Sequence, residues 1–153
     1  MKILILGGSG YIGSVLCNLL LNFGHKIKVI DTQWFGKNLF INKNLKIVKK
    51  DIRELNKKDF KDQDVIIHLA NIANDPAVEL DPTLSWEVNV LASYRMAELS
   101  AKAGVKDFIF ASSGSVYGIK DDERVTEDLE LVPISVYNKT KMIAERVFYS
   151  YRD

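Results

Sequence analysis

Three glycines near the amino terminus have the spacing of a phosphate-binding turn. Gly7, Gly10 and Gly13 form a G-x-x-G-x-x-G pattern between an apolar run and an amphipathic segment. The first glycine allows a tight bend, the second lets the backbone approach a diphosphate, and the third lets a helix pack closely on a strand. N–H groups at the start of the following helix then face the phosphates. We predict that Gly7, Gly10, Tyr11, Ile12 and Gly13 hold the diphosphate of a dinucleotide.

An acidic residue in the expected place supports this prediction. Asp31 ends the next apolar run, eighteen residues after Gly13, close to the usual offset of about 20. A carboxylate there accepts hydrogen bonds from ribose hydroxyls and repels a 2′-phosphate, so the pattern favours NAD over NADP. The alternative interpretation is a tight turn followed by a helix-capping acid. A Walker-type phosphate loop is excluded, because no Gly-Lys-Ser or Gly-Lys-Thr closes the motif.

A second pair of residues has the types and spacing of a proton-transfer site. Tyr137 and Lys141 lie four residues apart, which places them on one face of a helix. A phenol has a pKa of about 10, and a nearby ammonium or an oxidised nicotinamide lowers it towards neutrality. Such a pair is also common on solvated helices. The serine-rich run 112–118 favours chemistry, because it follows an apolar run and parallel sheets bind ligands at the carboxyl ends of strands.

The elements that must position these residues alternate along the chain. Strands are predicted at residues 2–6, 26–30, 46–49, 65–69 and 107–111, and the continuous apolar runs at 2–6 and 65–69 are typical of parallel strands buried on both faces. Helices are predicted at residues 11–23, 84–103 and 135–151. The packing stripe of the first helix is predicted to consist of Ile12, Val15, Leu16, Leu19, Leu20 and Phe23. The alternation predicts an α/β fold, a Rossmann-like doubly wound parallel sheet with helices on both faces.

Composition excludes several other classes of protein. The chain has 153 residues, 47% of them hydrophobic, which suits one globular domain. The net charge of +1 gives no basic excess for nucleic acid, and no apolar run approaches the length of a membrane span or a signal peptide. One cysteine and two histidines give no metal-binding cluster, and His68 is interpreted as a core histidine. We expect a cytoplasmic protein that binds no metal, membrane or nucleic acid.

In chain order, the motifs resemble a known family over nearly the whole sequence. The chain is similar to the extended short-chain dehydrogenase/reductases, in particular to their NAD-dependent nucleotide-sugar epimerase/dehydratase branch. The segments that carry the resemblance are Gly7–Gly13, Asp31, Asp51–Arg53, His68–Asn71, Asn89–Val90, Ser112–Gly118, Pro133–Lys141 and Ala144–Glu145.

The resemblance implies roles for individual residues. Ser113, five residues before the glycine at 118, matches the family's catalytic hydroxyl, with Ser112 and Ser115 as alternatives. Tyr137 matches the catalytic base. Lys141 matches the residue that lowers the tyrosine pKa and holds the nicotinamide ribose. Further cofactor contacts are implied for Asp51 and Ile52 at the adenine, for Leu69, Ala70 and Asn71 beside the cofactor, and for Asn89, whose alternative role is to satisfy a helix or loop.

The resemblance also narrows the reaction. The family's 4,6-dehydratases have an Asp-Glu pair directly after the catalytic hydroxyl, where this chain has Gly114 and Ser115. Neither residue transfers a proton as a carboxyl group does. The preferred expectation is therefore an NAD-dependent 4-epimerase of nucleotide sugars. The alternatives are an NAD-dependent sugar dehydrogenase or reductase, an enzyme of a non-sugar alcohol or ketone, and an NAD-binding module without turnover.

Two expectations concern the extent and assembly of the protein. Members of the family continue beyond the Tyr-x-x-x-Lys helix into a carboxyl-terminal substrate domain, which is absent from this sequence. We therefore expect residues 1–153 to be the NAD-binding Rossmann domain of a longer chain. The helices predicted at 84–103 and 135–151 each have two apolar faces, and the family often dimerises through these helices. We expect a homodimer through them.

Overall fold

The computed structural model describes residues 1–151, which are built around a sheet of five strands in the order β3-β2-β1-β4-β5. The strands are β1 Lys2–Leu6, β2 Lys26–Asp31, β3 Leu45–Lys49, β4 Val65–His68 and β5 Asp107–Phe110. All neighbouring pairs are parallel, and Leu4 at the centre lies opposite Lys28 on one side and Ile66 on the other. The prediction of a Rossmann-like parallel sheet is confirmed.

Helices cover the sheet on both faces, also as predicted. They are α1 Tyr11–Asn22, α2 Asp75–Leu80, α3 Pro82–Trp86, α4 Ala92–Ala103 and α5 Val136–Tyr149. The helix predicted over residues 84–103 contains a π-helical stretch, Glu87–Leu91, between α3 and α4. Such stretches widen a helix locally and are frequent beside functional sites.

Each face of the sheet has its own apolar core, because successive strand residues point to opposite faces. Leu4, Leu6 and Ile66 pack with Met96 of α4 on one face. The core of the other face consists of Ile3, Ile5, Cys17, Ile27, Val29, Val65 and Ile67. Each buried aliphatic side chain stabilises the fold by about 2 kcal/mol. The central strands therefore form a rigid base for the segments that follow them.

The packing face of α1 differs from the prediction. Leu16 and Leu20 do pack on the sheet, together with buried Gly13 and Cys17. The other members of the predicted stripe, Ile12, Val15, Leu19 and Phe23, are exposed. Small residues at positions 13 and 17 let the helix axis approach the strands closely, and this rotates the larger apolar side chains away from the sheet.

The described part of the chain has two further properties that bear on function. No helix within residues 1–151 is long and apolar enough to cross a membrane. In the same range, no group of three His, Cys, Asp or Glu side chains is arranged to hold a metal ion. The Cys17 thiol is buried, which raises its pKa to about 11. It is therefore protonated and packs as an apolar side chain.

Candidate functional site

A cavity of about 660 Å³ lies along the carboxyl ends of all five strands. Its wall consists of the segments that directly follow the strands, together with Tyr137 and Lys141 from α5. The volume is within the range of cofactor sites. The predicted site residues that line it are Gly7, Gly10, Tyr11, Ile12, Gly13, Asp31, Asp51, Ile52, Leu69, Ala70, Asn71, Tyr137 and Lys141. Asn89 and Ser113 lie outside this lining.

The glycine loop after β1 has no room for side chains at two of the three glycines of the G-x-x-G-x-x-G motif. Gly7 has a φ angle of +83°, and a Cβ atom there would lie 2.6 Å from the backbone nitrogen of Ala70. A Cβ atom at Gly13 would lie 2.6 Å from the carbonyl oxygen of Gly7. At Gly10 the nearest atom would be 3.4 Å away, and this residue borders the cavity. Gly7 and Gly13 therefore shape the loop, whereas Gly10 leaves room for a ligand.

Several polar groups of the cavity wall fit a bound dinucleotide. Helix α1 begins beside the cavity, and Gly10, the residue before it, provides no side-chain cap. The first N–H groups of α1 are therefore suited to bind a diphosphate. Within residues 1–151, three buried wall atoms have no hydrogen-bond partner: Ser9 Oγ, Asn71 Oδ1 and Ser112 Oγ. Buried polar atoms are normally paired, and the phosphate, ribose and amide groups of NAD provide suitable partners.

Asp31 faces the cavity and also holds the glycine loop through a hydrogen bond. Its Oδ2 accepts a hydrogen bond of 2.9 Å from the backbone N–H of Ser9. Its Oδ1 accepts one of 2.6 Å from the backbone N–H of Gln33. Each carboxylate oxygen keeps a further lone pair. Asp31 can therefore accept ribose hydroxyls while it holds the glycine loop and the turn after β2 together.

Asp51 and Ile52 border the cavity but also have structural roles. The Asp51 carboxylate accepts hydrogen bonds from the Arg53 backbone at 2.8 Å and from Arg53 Nη2 at 2.8 Å. The hydrogen bonds from the Arg53 side chain hold the pKa of Asp51 below its ordinary value. Arg53 also pairs with Glu87 of the π-helical stretch at 2.7 Å. Because the Ile52 side chain is buried in the core, both residues fix the segment after β3 against the helices.

Asn89 lies behind the cavity wall. Its Oδ1 accepts a hydrogen bond of 2.7 Å from the backbone N–H of Ile72, and its Nδ2 donates to the Ile72 carbonyl oxygen and to Thr140 Oγ1. It thereby joins the segment after β4 to α5. Asn71 does line the cavity, and its Nδ2 donates to the Leu69 carbonyl oxygen at 2.8 Å. These contacts match the alternative role of Asn89, which is to satisfy a loop, and its cofactor contact stays a prediction.

Tyr137 is half-buried at the β5 end of the cavity. Burial raises its pKa, Asp75 raises it further, and the neighbouring Ser113 hydroxyl acts in the opposite direction. The sequence predicts that Lys141 lowers this pKa. The lysine ammonium is instead hydrogen-bonded elsewhere, so the pair is not arranged as a phenolate and its counter-ion in this structure.

Lys141 is buried and faces the carboxyl end of β5. Its Nζ donates to the Ala111 carbonyl oxygen at 2.7 Å and lies 4.6 Å from the centre of the Phe110 ring. Burial lowers its pKa to about 8, and Glu145 opposes that change. A buried amine with one hydrogen bond keeps two donors for ribose hydroxyls.

The Ser113 hydroxyl belongs to a chain of hydrogen bonds. Ser115 Oγ donates to Asn138 Oδ1 at 2.7 Å, and Ser113 Oγ lies 2.7 Å from Ser115 Oγ. The amide oxygen of Asn138 only accepts, so the Ser115 proton is used there and Ser113 donates to Ser115. One lone pair of Ser113 accepts from the Ser115 backbone N–H at 3.3 Å, and the other remains available to a neighbouring hydroxyl.

His68 is a core histidine, as its position in the sequence predicted. Its Nε2 lies 3.2 Å from Ser93 Oγ, and its ring packs on Phe108, Phe110 and Phe148. Burial lowers its pKa to about 3, and the ammonium of Lys141 adds to the effect. The ring is therefore neutral at physiological pH and supports the Phe110 ring beneath Lys141.

The His68 environment predicts a pH dependence of stability. Unfolded histidine has a pKa of about 6.5, so between that value and about 3 the unfolded chain binds one more proton than the folded chain. The free energy of unfolding is expected to decrease by about 1.4 kcal/mol per pH unit as the pH falls below 6. Urea unfolding of the wild type and of His68→Gln at pH 7 and pH 5 measures this. An equal change in the free energy of unfolding between the two pH values in both proteins would contradict the prediction.

The sequence did not point to three groups that the structure places at or behind the site. Trp34 and Phe35 line the cavity, and Asn38 Nδ2 donates to the Ser9 carbonyl oxygen at 3.1 Å. Asn138 orients the serine pair from α5. The aromatic pair Trp34–Phe35, which begins three residues after Asp31, is a sequence signal for the first group. The asparagine contacts join residues distant in sequence, and no local pattern predicts them.

The order of the strands sets the direction in which a dinucleotide would lie. Tyr137 and Lys141 lie beside the segment after β5, at one end of the cavity. Asp31 ends β2 and Asp51 follows β3, at the other end, and the glycine loop after β1 lies between. A nicotinamide beside Tyr137 therefore requires the adenosine half to lie at the β2–β3 end.

Comparison with known proteins agrees with this arrangement. The sequence model of the NAD dependent epimerase/dehydratase family matches residues 3–153. The chain belongs to this family. The prediction of the family is thus confirmed, and NAD is confirmed as its cofactor at the level of the family.

Relatives of this family member include curated nucleotide-sugar epimerases. It is 32% identical to the UDP-glucose 4-epimerase of Lactobacillus helveticus, in an alignment that covers 96% of this chain and 46% of that protein. It is 31% identical to the UDP-glucose 4-epimerase of Bacillus subtilis, with 96% and 47% covered. The chain spans about half the length of the curated relatives it matches.

Solved structures of the epimerase/dehydratase family have the same fold. The UDP-N-acetylglucosamine 4-epimerase from Methanobrevibacter ruminantium M1 has a TM-score of 0.93 at 30% identity, covering 98% of this chain and 50% of that one. MoeE5 in complex with UDP-glucose and NAD has a TM-score of 0.86 at 30% identity, covering 99% and 49%. The NAD dependent NDP-hexosamine 5,6-dehydratase TunA has a TM-score of 0.90 at 28% identity, covering 99% and 50%. The fold is therefore shared by epimerases and a dehydratase.

Proposed function

We propose that this chain carries the NAD site and the catalytic groups of a nucleotide-sugar 4-epimerase. The observation that carries the proposal is the single cavity that joins a diphosphate-binding glycine loop to Tyr137 and Lys141. Relatives named UDP-glucose 4-epimerase support the substrate class and the reaction. The nucleotide sugar, as substrate, is the small-molecule partner in this proposal.

Tyr137 is the proposed base, and it takes the proton from the sugar hydroxyl as that carbon is oxidised. Ser113 donates to the oxygen of the same hydroxyl, once its proton turns away from Ser115 Oγ. Lys141 holds the nicotinamide ribose through the two donors that its hydrogen bond to the Ala111 carbonyl oxygen leaves free. NAD, when bound, supplies the hydride acceptor and donor. This chemistry would invert the carbon if the hydride returned to the opposite face of the ketone.

Epimerisation is favoured over dehydration by the residues that follow Ser113. Gly114 has no side chain, and the Ser115 hydroxyl is used in the hydrogen-bond chain to Asn138. Neither provides the carboxyl group that an elimination step needs as acid or base.

The proposed reaction is tested by incubating the protein with NAD and a panel of UDP-sugars. We expect interconversion of 4-epimers without net NADH formation. Proton NMR of the sugar measures the interconversion. Stoichiometric NADH absorbance would identify a dehydrogenase instead. Binding of NAD without conversion of any sugar would contradict the proposal and identify a binding module.

Asp31→Ala is expected to reduce the preference for NAD over NADP roughly tenfold, because a charged acceptor for the ribose hydroxyls is worth at least 1.4 kcal/mol. The variant also frees the amides of Ser9 and Gln33, so affinity for both cofactors falls. The ratio of the two dissociation constants, measured by calorimetry, is therefore the informative quantity. An unchanged ratio would show that Asp31 does not contact the ribose.

We also propose that the protein is a homodimer through α4 and α5. Leu91 and Tyr94 before and within α4, and Tyr149 at the end of α5, are large and exposed. Tyr94 and Tyr151 lie with their ring centres 6.4 Å apart, which joins the two helices into one apolar surface. A light-scattering mass of one chain at micromolar concentration would contradict this assembly.

A further inference from the structure

Two large aromatic side chains border the cavity and are largely exposed within the described residues 1–151. Trp34 is 59% exposed and Phe35 is 85% exposed. Both line the cavity on the turn that follows β2. Exposed aromatic groups beside a cavity are typical of ligand contacts. A ligand ring that packs on such a group removes a large apolar area from water, which favours binding.

The turn that carries these rings is held in one conformation at both of its ends. The Gln33 backbone, with a φ of +57°, donates to Asp31 Oδ1 at 2.6 Å. The Gly36 N–H donates to the Gln33 carbonyl oxygen at 3.1 Å. A left-handed conformation at a non-glycine residue is unfavourable unless the surroundings impose it. The hydrogen bonds to Asp31 therefore keep the turn in place.

Asn38 attaches the other end of the turn to the glycine loop. Its Nδ2 atom donates to the Ser9 carbonyl oxygen at 3.1 Å and to the Phe35 carbonyl oxygen at 3.3 Å. The turn that carries Trp34 and Phe35 is thus joined to the glycine loop at both ends. Asn38 makes the connection at one end, and Asp31, which also accepts from Ser9, makes it at the other. The rings are presented at a defined position relative to a bound diphosphate.

We propose that Trp34 is a stacking platform for the adenine base of the cofactor, with Phe35 extending the same apolar wall and Asn38 positioning the turn. The inference rests on the proposed NAD site and adds the residue that binds its base. Adenine must lie at the β2–β3 end of the cavity, because Tyr137 and Lys141 occupy the β5 end. Trp34 and Phe35 are the aromatic residues that line that end beyond the glycine loop. A purine face stacks favourably on an indole.

Fluorescence provides a test that does not depend on turnover. The chain has two tryptophans, Trp34 and Trp86, and Trp86 lies in α3, outside the cavity lining. ADP-ribose, which lacks the nicotinamide, is expected to quench the emission of the wild type and of Trp86→Phe. The same titration of Trp34→Phe is expected to leave the remaining Trp86 emission unchanged. Nicotinamide mononucleotide is expected to quench none of the three proteins.

Affinity provides a second measurement on the same contact. Trp34→Ala is expected to bind ADP-ribose roughly tenfold more weakly, since loss of base–aromatic stacking has about that effect. Trp34→Phe keeps a ring and is expected to stay within about threefold of the wild type. Phe40→Ala is the matched control, because Phe40 is exposed on the same connection but does not line the cavity. Its affinity should equal that of the wild type.

The possible results separate this inference from the proposed function. Suppose that calorimetry shows ADP-ribose binding. Equal quenching in Trp34→Phe and the wild type, or equal affinity in Trp34→Ala and the wild type, would then overturn the stacking role and leave the NAD site intact. Absence of both NAD and ADP-ribose binding to the wild type would overturn the NAD site and the stacking role together. Quenching confined to proteins that retain Trp34, with the expected loss of affinity in Trp34→Ala, supports both.

Discussion

Tyr137→Phe is expected to lower epimerase turnover about a thousandfold while NAD affinity stays within a few fold of the wild type. The substitution removes only the phenolic oxygen, and a positioned acid–base group typically contributes a factor of this size. The ring itself remains in the cavity wall beside α5, so the cofactor contact surface is preserved. Turnover is measured by sugar NMR and NAD affinity by calorimetry, in a form of the protein that converts a nucleotide sugar.

Tyr149→Phe is the matched control for this prediction. Tyr149 lies on the same helix, is exposed and does not line the cavity. Its activity should equal that of the wild type. Full activity in Tyr137→Phe would remove Tyr137 from the role of base, and a parallel loss of NAD affinity would show that the phenol serves binding rather than proton transfer.

Gly13→Ala is expected to destabilise the fold by about 3 kcal/mol. The added methyl group would lie 2.6 Å from the Gly7 carbonyl oxygen and 2.6 Å from the Gly8 Cα. These are backbone atoms on the β1 side of the loop and cannot rotate away, so α1 must move off the sheet. Urea unfolding monitored by circular dichroism measures the loss.

Gly10→Ala separates the shape of the loop from its ability to bind. The nearest atom to a Cβ there would be 3.4 Å away, and the residue has an ordinary φ of −75°. Stability should stay within about 1 kcal/mol of the wild type, whereas NAD affinity falls at least tenfold because the methyl group enters the cavity. Equal destabilisation by the two substitutions, or unchanged NAD affinity in Gly10→Ala, would contradict these roles.

The strands and the glycine loop were predictable because their signals are local. Strands covered on both faces by helices have continuous apolar runs, and β1 and β4 are of this kind. The steric demands at Gly7 and Gly13 come from backbone within the loop and from the segment after β4. These features therefore appear in the sequence as composition and spacing, and the structure places them as predicted.

Features that depend on packing between distant segments were not predictable. The apolar stripe of α1 suggested six sheet contacts, but small Gly13 and Cys17 set the actual contact face. Lys141 was expected to act on Tyr137, four residues away, and instead binds the Ala111 carbonyl oxygen thirty residues away. In both cases the tertiary partner, which a helical period does not reveal, decides the side-chain position.

The central claim is that NAD lies across the carboxyl ends of the strands with its diphosphate on the amides of the glycine loop. Titration of the isotopically labelled protein with NAD, followed by amide chemical shifts, tests this most directly. The account predicts saturating shifts at the loop amides from Gly7 to Gly13, at Asp31 and at Leu69 to Asn71. Saturable binding that leaves these amides unmoved, with shifts confined to the groove at the opposite ends of the strands beside Lys26 and Lys46, would contradict it.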